Sequence, residues 1–491
     1  MLFIGIDLGT SSTKLLLSDE KGNILNTVSK DYPLIFPHPG WSEQDPEQWW
    51  IACKEGIPEL LKGFDASQVI GIGSGGQMHG LVVLDKDDKV IRPAILWNDG
   101  RTSKEVDYLN NVIGKKKLSS FTANIAFAGF TAPKIMWLRD NEPENFSRIS
   151  KIMLPKDYIT YKLTGMHCCD YSDASGMLLL DVQHKVWSDK MLDICSVSKS
   201  QMPWLFESYD VVGTLTEEAA SILGLPMSVK VVAGAGDNAA AAVGTGTVGE
   251  GKCNISIGTS GTVFISSDHF ALDPNNALHA FAHADGGYHL MGCMLSAASC
   301  NKWFCSDILG SDDYSALQKD IRREDLGKNH VFFLPYLMGE RSPINDTDAR
   351  GTFTGMTMDT DRKSMVQAVL EGVAFAIRDS MEVARSLGID IRRSKICGGG
   401  AKSELWKTIF ANVLGIPLDM VKTEQGPGFG AVMLAMVGCG LYPDVQSAAA
   451  DLVETASTVE PDPDLVALYE RKYQSFREIY PAMKELFKKL D

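Results

Sequence analysis

A chain of 491 residues with 45% hydrophobic and 22% charged residues reads as a globular protein of about two domains, not as a disordered or fibrous one. The formal charge of −15 argues against a nucleic-acid backbone as partner, because polyphosphates are met by basic faces, while leaving room for a local cationic pocket. No apolar run is long enough to span a bilayer, the opening MLFIGIDLGT lacks a basic leader, and ten scattered cysteines include no C-x-x-C pair. The expectations are a cytoplasmic protein with reduced thiols and no zinc site, disulfide framework, membrane partner or nucleic-acid partner.

Leu2 to Asp7 reads as a strand, Gly9 to Ser12 as a polar turn and Lys14 to Leu17 as the returning strand, which makes a β-hairpin with a glycine-containing tip. Asp45-Pro46-Glu47-Gln48 predicts an N-cap, a proline in the first turn and a capping box closed by Gln48, with a helix through Leu61. Val69 to Ile72 is a buried strand running into the loop GSGGQMHG, and GFTAPKIMWLRDNEP opens a helix with Pro133 near its start. Val229 to Ala233 is a strand stopping at GAGDN, followed by a small-residue helix over Asn238 to Val243; the glycine-rich stretch Gly244 to Gly251 crosses to the second half. That half begins with a hairpin, Cys253 to Ser267. It continues with a long apolar helix from Arg362, two strand-to-helix turns, CGGGAKSELW and TEQGPGFGAV, and an amphipathic helix from Asp464. Strands alternating with helices in both halves predict α/β layers.

The two hairpins repeat each other: IDLGTSSTKLLLSD from Ile6 and ISIGTSGTVFISSD from Ile255 agree at seven of fourteen positions. A tip of Gly, Thr and Ser offers unpaired N–H groups and hydroxyls to an anion, and two such tips facing across a cleft can grip a polyphosphate. The copies differ where it matters. Asp7 aligns with Ser256 and Lys14 with Val263, so one copy alone carries a carboxylate suited to Mg²⁺ and a cation suited to phosphate; the pair also reads as solvated surface charge. GTVGEGKC from Gly246 nearly matches the P-loop pattern but ends in Cys and precedes a strand, so it is set aside as a glycine-rich connector.

Local sequence leaves Asp237 open between a helix cap and a catalytic base, and favours a structural role for His79 when it is taken alone. The ordered set GSGGQMHG, ILWNDGRT, GFTAPKIMW, LPKDYI, GAGDNAAAAVG, SIGTSGT and CGGGAKSELW resembles the FGGY carbohydrate kinases from end to end. WSEQDPEQWW, QMHG and LPYLMGER are most similar to their xylulokinase branch.

The resemblance implies two actin-like, ribonuclease H-type α/β domains related by internal duplication, residues 1–248 and 249–491, with ATP and a sugar meeting in the cleft between them. It implies Asp237 as the catalytic base, and Met78, His79, Asp237 and Asn238 as sugar contacts. Gly9, Thr10, Ser11, Ser12 and Lys14 face the outer phosphates opposite Gly258, Thr259 and Ser260, Asp7 serves Mg²⁺, and Gly399, Gly400 and Ala401 form the adenosine turn. Trp97, Asn98 and Asp99 line or brace the sugar side, with core packing as the other reading of Trp97; Ser403 caps a helix, Trp406 is scaffold, and Gly428 and Gly430 allow close helix packing near the adenine base. Tyr469, Tyr473 and Phe476 read either as a homodimer surface or as packing within their own domain. The activity implied is ATP-dependent phosphorylation of D-xylulose. The alternatives are another FGGY kinase acting on gluconate, ribulose or a pentitol, and a sugar-sensing actin-like ATPase without phosphotransfer.

Overall fold

The computed structural model describes residues 1–422 and 425–490. β1 (Leu2–Leu8) is apolar and buried along almost its whole length, as a central strand must be when both its faces are covered. It pairs antiparallel with β2 (Ser12–Asp19), which pairs antiparallel with β3 (Ile24–Asp31). After helix α1 (Pro46–Leu60), β4 (Val69–Gly76) returns parallel to β1. Helices α2 (Thr131–Asn141), α3 (Pro155–Thr164) and α4 (Tyr171–Ser175) follow, then β5 (Val211–Thr214), β6 (Lys230–Val232) and the short β7 (Ala235–Gly236). The first sheet runs β5-β6-β4-β1-β2-β3, with β7 extending the β4 side.

Helix α5 (Asp237–Gly244) leads into the second half. There β8 (Lys252–Ile257) and β9 (Gly261–Ser267) form the second hairpin, followed by β10 (His279–Ala282), β11 (Tyr288–Met294) and helix α6 (Arg362–Ser386). The chain ends with β12 (Arg393–Cys397), α7 (Glu404–Leu414), β13 (Leu418–Val421), α8 (Gly426–Gly438), β14 (Thr455–Val459) and α9 (Pro463–Phe487). The second sheet runs β14-β13-β12-β8-β9-β11-β10. Reading outward from β1 and from β8, the two sheets share one plan: two antiparallel neighbours on one side, two parallel neighbours on the other, and an antiparallel edge strand beyond them. The repeat seen in the hairpins therefore extends to whole α/β sheets, with β10 an addition to the second.

The equivalent helices α5 and α8 pack against each other, but their sheet contacts differ. α8, from the second half, lies tightly on β1 and β4 of the first sheet. Glycines make this possible: a Cβ at Gly5 would sit 2.2 Å from Gly428 O, one at Gly73 2.1 Å from Ala431 O, and one at Gly430 1.9 Å from Ala240 O. This corrects the reading of GSGG as loop, because β4 continues through Gly76 where bare backbone meets α8. It also places Gly428 and Gly430 at a helix–sheet and helix–helix contact. On the second sheet the residue aligned with Gly5 is Asn254, and a cavity of about 550 Å³ separates β8 and β9 from α5.

Other expectations resolve locally. Asp45 caps α1 by accepting from Glu47 N–H at 3.0 Å, and Gln48 returns no side-chain bond, so there is no capping box. Tyr469, Tyr473 and Phe476 are at most 1% exposed; they pack on Phe375 of α6 within the same half, so the protomer-pairing reading of the stripe is set aside. Cys53, Cys168, Cys169, Cys195, Cys253, Cys300 and Cys305 are buried thiols. No helix among the described residues is long and apolar enough to cross a membrane. Thr423 and Glu424 of the TEQGPGFGAV turn lie outside the described residues.

Candidate active site

Both hairpin tips turn their carbonyls inward. In the first, Tyr32 Oη donates to Gly9 O (2.6 Å), Gln44 Nε2 to Thr10 O (2.9 Å) and Tyr32 N–H to Ser11 O (3.1 Å). In the second, Ala298 N–H donates to Gly258 O (2.9 Å), while Ala297 N–H (2.9 Å) and Ser299 Oγ (2.7 Å) donate to Thr259 O. With the acceptors occupied, the N–H groups of Thr10, Ser11, Thr259 and Ser260 have no partner among the described residues. Each tip is thus a small anion-binding concavity. Lys14 stands across the strand pair from Asp7, close enough for its charge to act on that carboxylate.

Asp237 is the first residue of α5 rather than its cap, which is Gly236. Its Oδ1 accepts from Asn238 N–H (2.7 Å) and Asn238 Nδ2 (3.0 Å), leaving Oδ2 without a partner among the described residues. Desolvation raises this carboxyl to about 7 against the opposing pull of the Asn238 N–H, and the Asp7 charge raises it further. Asp7, also desolvated, is raised to about 6 and makes no hydrogen bond or ion pair with a described residue. Two unneutralised carboxylates in one cleft fit a divalent cation held by a single carboxylate together with water and phosphate oxygens. Among the described residues no cluster of three or more His, Cys, Asp or Glu side chains forms a closed metal cage.

The Gln77–Gly80 loop after β4 lies against this turn. Met78 Sδ is 3.9 Å from Asn238 Nδ2, and a Cβ at Gly236 would collide with Met78. His79 is left-handed, with φ of 69°, and is held at three points. Its Nδ1 lies 2.7 Å from Gly176 O, and its carbonyl accepts from Thr131 Oγ1 (3.1 Å) and from Lys134 Nζ (2.9 Å). Because Gly176 O can only accept, Nδ1 carries the hydrogen and Nε2 is an acceptor. Burial, aided by Lys134, brings the imidazole down to about 3, so it is neutral. The sequence reading missed Lys134, and the signal was a lysine directly after a proline inside an apolar helix.

A second missed lysine supports the Asp237 turn from below. Lys156, fully buried in α3, pairs with Asp157 (2.6 Å) and Asp170 (2.8 Å). Asp170 Oδ2 accepts from Ser172 N–H (2.8 Å) and Ser208 Oγ (2.8 Å), and Ser172 Oγ accepts from Gly236 N–H (3.1 Å), the peptide next to Asp237. On the entrance side, Trp97 is 47% exposed and donates from Nε1 to Thr10 Oγ1 (3.0 Å), so it is cleft wall and not core. Asp99 does not line the sugar side; its carboxylate is taken by Arg101 (2.8 and 2.7 Å) and by Ser42 N–H.

The turn after β12 occupies the same place in the second sheet as the Met78–His79 loop does in the first. Gly398 needs its positive φ of 90°, and a Cβ at Gly400 would sit 2.3 Å from Ile257. Gly399, with nothing within 4 Å of its Cβ position, faces open space beside Ala401. Ser403 Oγ caps α7 by accepting from Trp406 N–H, and Trp406 is buried with its Nε1 on Leu370 O. Gly399 borders two cavities, the 550 Å³ one that reaches Asn238 and another of about 1000 Å³ lined by Thr259, Gln318, Gly400 and Glu404. The expected residues thus converge from four turns onto one cleft.

Models of the FGGY family of carbohydrate kinases match the chain with their N-terminal domain over residues 2–244 and their C-terminal domain over 253–439. The xylulose kinase of Escherichia coli is 40% identical over 98% of both chains, and that of Lactococcus lactis 39% identical over 98% of this chain and 97% of its own. The crystal structure of a xyloylose kinase from Brucella ovis superposes with a TM-score of 0.93 at 40% identity, covering 99% of this chain and 100% of the other. A gluconate kinase from Lactobacillus acidophilus reaches the same TM-score at 28% identity, covering 100% and 99%.

Proposed function

The chain belongs to the FGGY family of carbohydrate kinases, and on that premise we propose that it transfers the terminal phosphoryl group of ATP to the C5 hydroxyl of D-xylulose, giving xylulose 5-phosphate. The observation that carries the reading is Asp237: a carboxylate with a free oxygen, at a helix start, between a glycine-lined sugar loop and two N–H-rich hairpin tips. The full-length xylulose kinase relatives at about 40% identity support the choice of sugar over gluconate, which the fold alone does not separate.

In this reading residues 1–248 supply the sugar pocket and base and residues 249–491 the nucleotide pocket. Asn238, Met78 and His79 orient the sugar: His79 Nε2 accepts from one hydroxyl and Met78 forms an apolar wall. Asp237 Oδ2 takes the C5–OH proton as the oxygen bonds to phosphorus and the bond to the leaving ADP oxygen breaks. The unpartnered tip N–H groups of Thr10, Ser11, Thr259 and Ser260, with Lys14, bear the phosphate charge. Gly399, Gly400 and Ala401 admit the adenosine. Asp7 is the residue that would hold Mg²⁺, which when bound supplies charge neutralisation at the phosphates.

A coupled assay of ADP release with D-xylulose, ribulose, gluconate, glycerol and ribitol tests the proposal. D-xylulose should give the highest kcat/KM, and Asp237→Ala should abolish turnover while ATP still binds. Preference for another sugar, or ordinary turnover by a folded Asp237→Ala protein, would overturn it.

A further inference from the structure

The LPYLMGER segment carries chemistry that the site above leaves unused. Arg341, from a loop of the second half, makes no ion pair with a carboxylate among the described residues. Its guanidinium rests over the Phe127 ring at 5.0 Å and beside the Cys293 thiol, and its charge acts on both His79 and His279. An aromatic chain links these groups: Phe130 stacks on His79 (4.7 Å), and Phe127 meets Phe130 (5.5 Å) and His279 (5.1 Å). His279 is 6% exposed and neutral, burial having lowered it to about 3, and neither ring nitrogen has a hydrogen-bond partner among the described residues.

The strand bearing His279 is fastened at this spot. Ala282 N–H donates to Ser175 Oγ (2.9 Å), next to the Gly176 carbonyl that holds His79. Ala280 exchanges two hydrogen bonds with the Asn124 side chain (2.9 and 3.2 Å). The second half therefore lies against the segments that hold His79, with the Phe127 and Phe130 rings between His279 and His79. His279 offers a neutral imidazole whose nitrogens take no hydrogen bond among the described residues, and Arg341 a half-buried guanidinium held by the Phe127 ring and the Cys293 thiol with no described carboxylate paired to it, so a ligand with matching polar groups can pair with both.

We propose that Arg341 and His279 bind the keto end of an open-chain 2-ketose whose C5 hydroxyl lies on Asp237. The inference rests on the activity proposed above and adds how the pocket tells a ketose from the corresponding polyol. A ketopentose phosphorylated at C5 cannot have that hydroxyl tied up in a furanose ring, so the acceptor is the open chain, with a free carbonyl at C2. A carbonyl oxygen accepts from a guanidinium fork; the pentitol presents a hydroxyl there instead, which needs an acceptor for its own hydrogen.

The test compares kcat/KM for D-xylulose and for D-arabitol, which differ only at C2, in the wild type and in Arg341→Gln, Arg341→Lys and His279→Gln, with the KM for ATP and the thermal midpoint measured alongside. Arg341→Gln should lower the ketose-to-pentitol ratio about tenfold or more with the ATP KM unchanged, and His279→Gln should lower it less. Arg341→Lys, which keeps the charge and loses the fork, should fall between and carries the test if the glutamine variant does not fold. An unchanged ratio, an equal loss on both sugars, or a rise in the ATP KM in folded variants would overturn the inference while leaving the kinase reading intact. A wild type inactive on both sugars would remove that reading and this inference with it.

Discussion

Asp237 answers to two opposed demands. In its proposed role as base it must stay accessible and unpaired, and to stay in the cleft it must give up water, which raises it to about 7. A carboxyl whose folded value exceeds its ordinary 3.8 binds protons more tightly in the native state, so the fold loses stability as pH rises from about 4 to about 7. Asp237→Asn removes the desolvated charge. In thermal melts without nucleotide or metal, that variant should gain about 4 kcal/mol over the wild type at pH 8, with the gain shrinking toward zero near pH 4. A gain independent of pH would show that the group is not desolvated as described. At this scale the sequence identified Asp237, Met78, His79 and Asn238 by motif. It did not show Lys134 and Lys156: each directly follows a proline at the start of a helix, but that signal does not say whether the side chain folds inward onto carbonyls and carboxylates or stays solvated.

Among the elements, glycine does two separate jobs that look alike in the chain. Gly430 is required by contact, its missing Cβ falling 1.9 Å from Ala240 O between α5 and α8, whereas Gly399 has open space around it and borders both cavities. Gly430→Ala should therefore destabilise the protein by about 3 kcal/mol in urea unfolding, through overpacking at a backbone contact. Gly399→Ala should leave the unfolding midpoint unchanged and raise the KM for ATP several-fold. A reversal of the two outcomes would exchange these roles. The hairpins, α1 and the helix starts at Asp45 and Ser403 follow from turn and capping chemistry within a few residues, and so are visible without the fold. The extension of β4 through Gly73 to Gly76 is not, since glycines signal a loop until α8, more than 350 residues later, covers Gly73 and Gly75, and Lys156 of α3 covers Gly76.

For the molecule as a whole, the two sheets are built to one plan, but of the helix pair between them only α8 seats directly on the central strands of a sheet. α8 sits directly on β1 and β4, while α5 stands off β8 and β9 across the 550 Å³ cavity, which opens toward Asn238 and Gly399. The gap gives closure somewhere to go: movement of the halves toward each other would narrow it and exclude water that would otherwise accept the phosphoryl group. Small-angle scattering should show a smaller radius of gyration with D-xylulose and a non-hydrolysable ATP analogue than without, and ATPase activity in the absence of sugar should be slow. Identical scattering curves would argue for rigid halves.

The sequence by itself determined the α/β class, the duplication and the two hairpin tips, because each rests on short-range chemistry written in consecutive residues, while the roles expected of Asp237, Met78, His79 and Asn238 came from the family resemblance and not from local pattern. Tertiary structure alone decided which glycines are contacts and which are openings, where the buried lysines point, and that β10 and Arg341 of the second half pack against Asn124, Phe127 and Ser175 of the first. Those facts depend on which surfaces distant segments bury against one another, and burial is a property of the packed chain and not of any stretch of it.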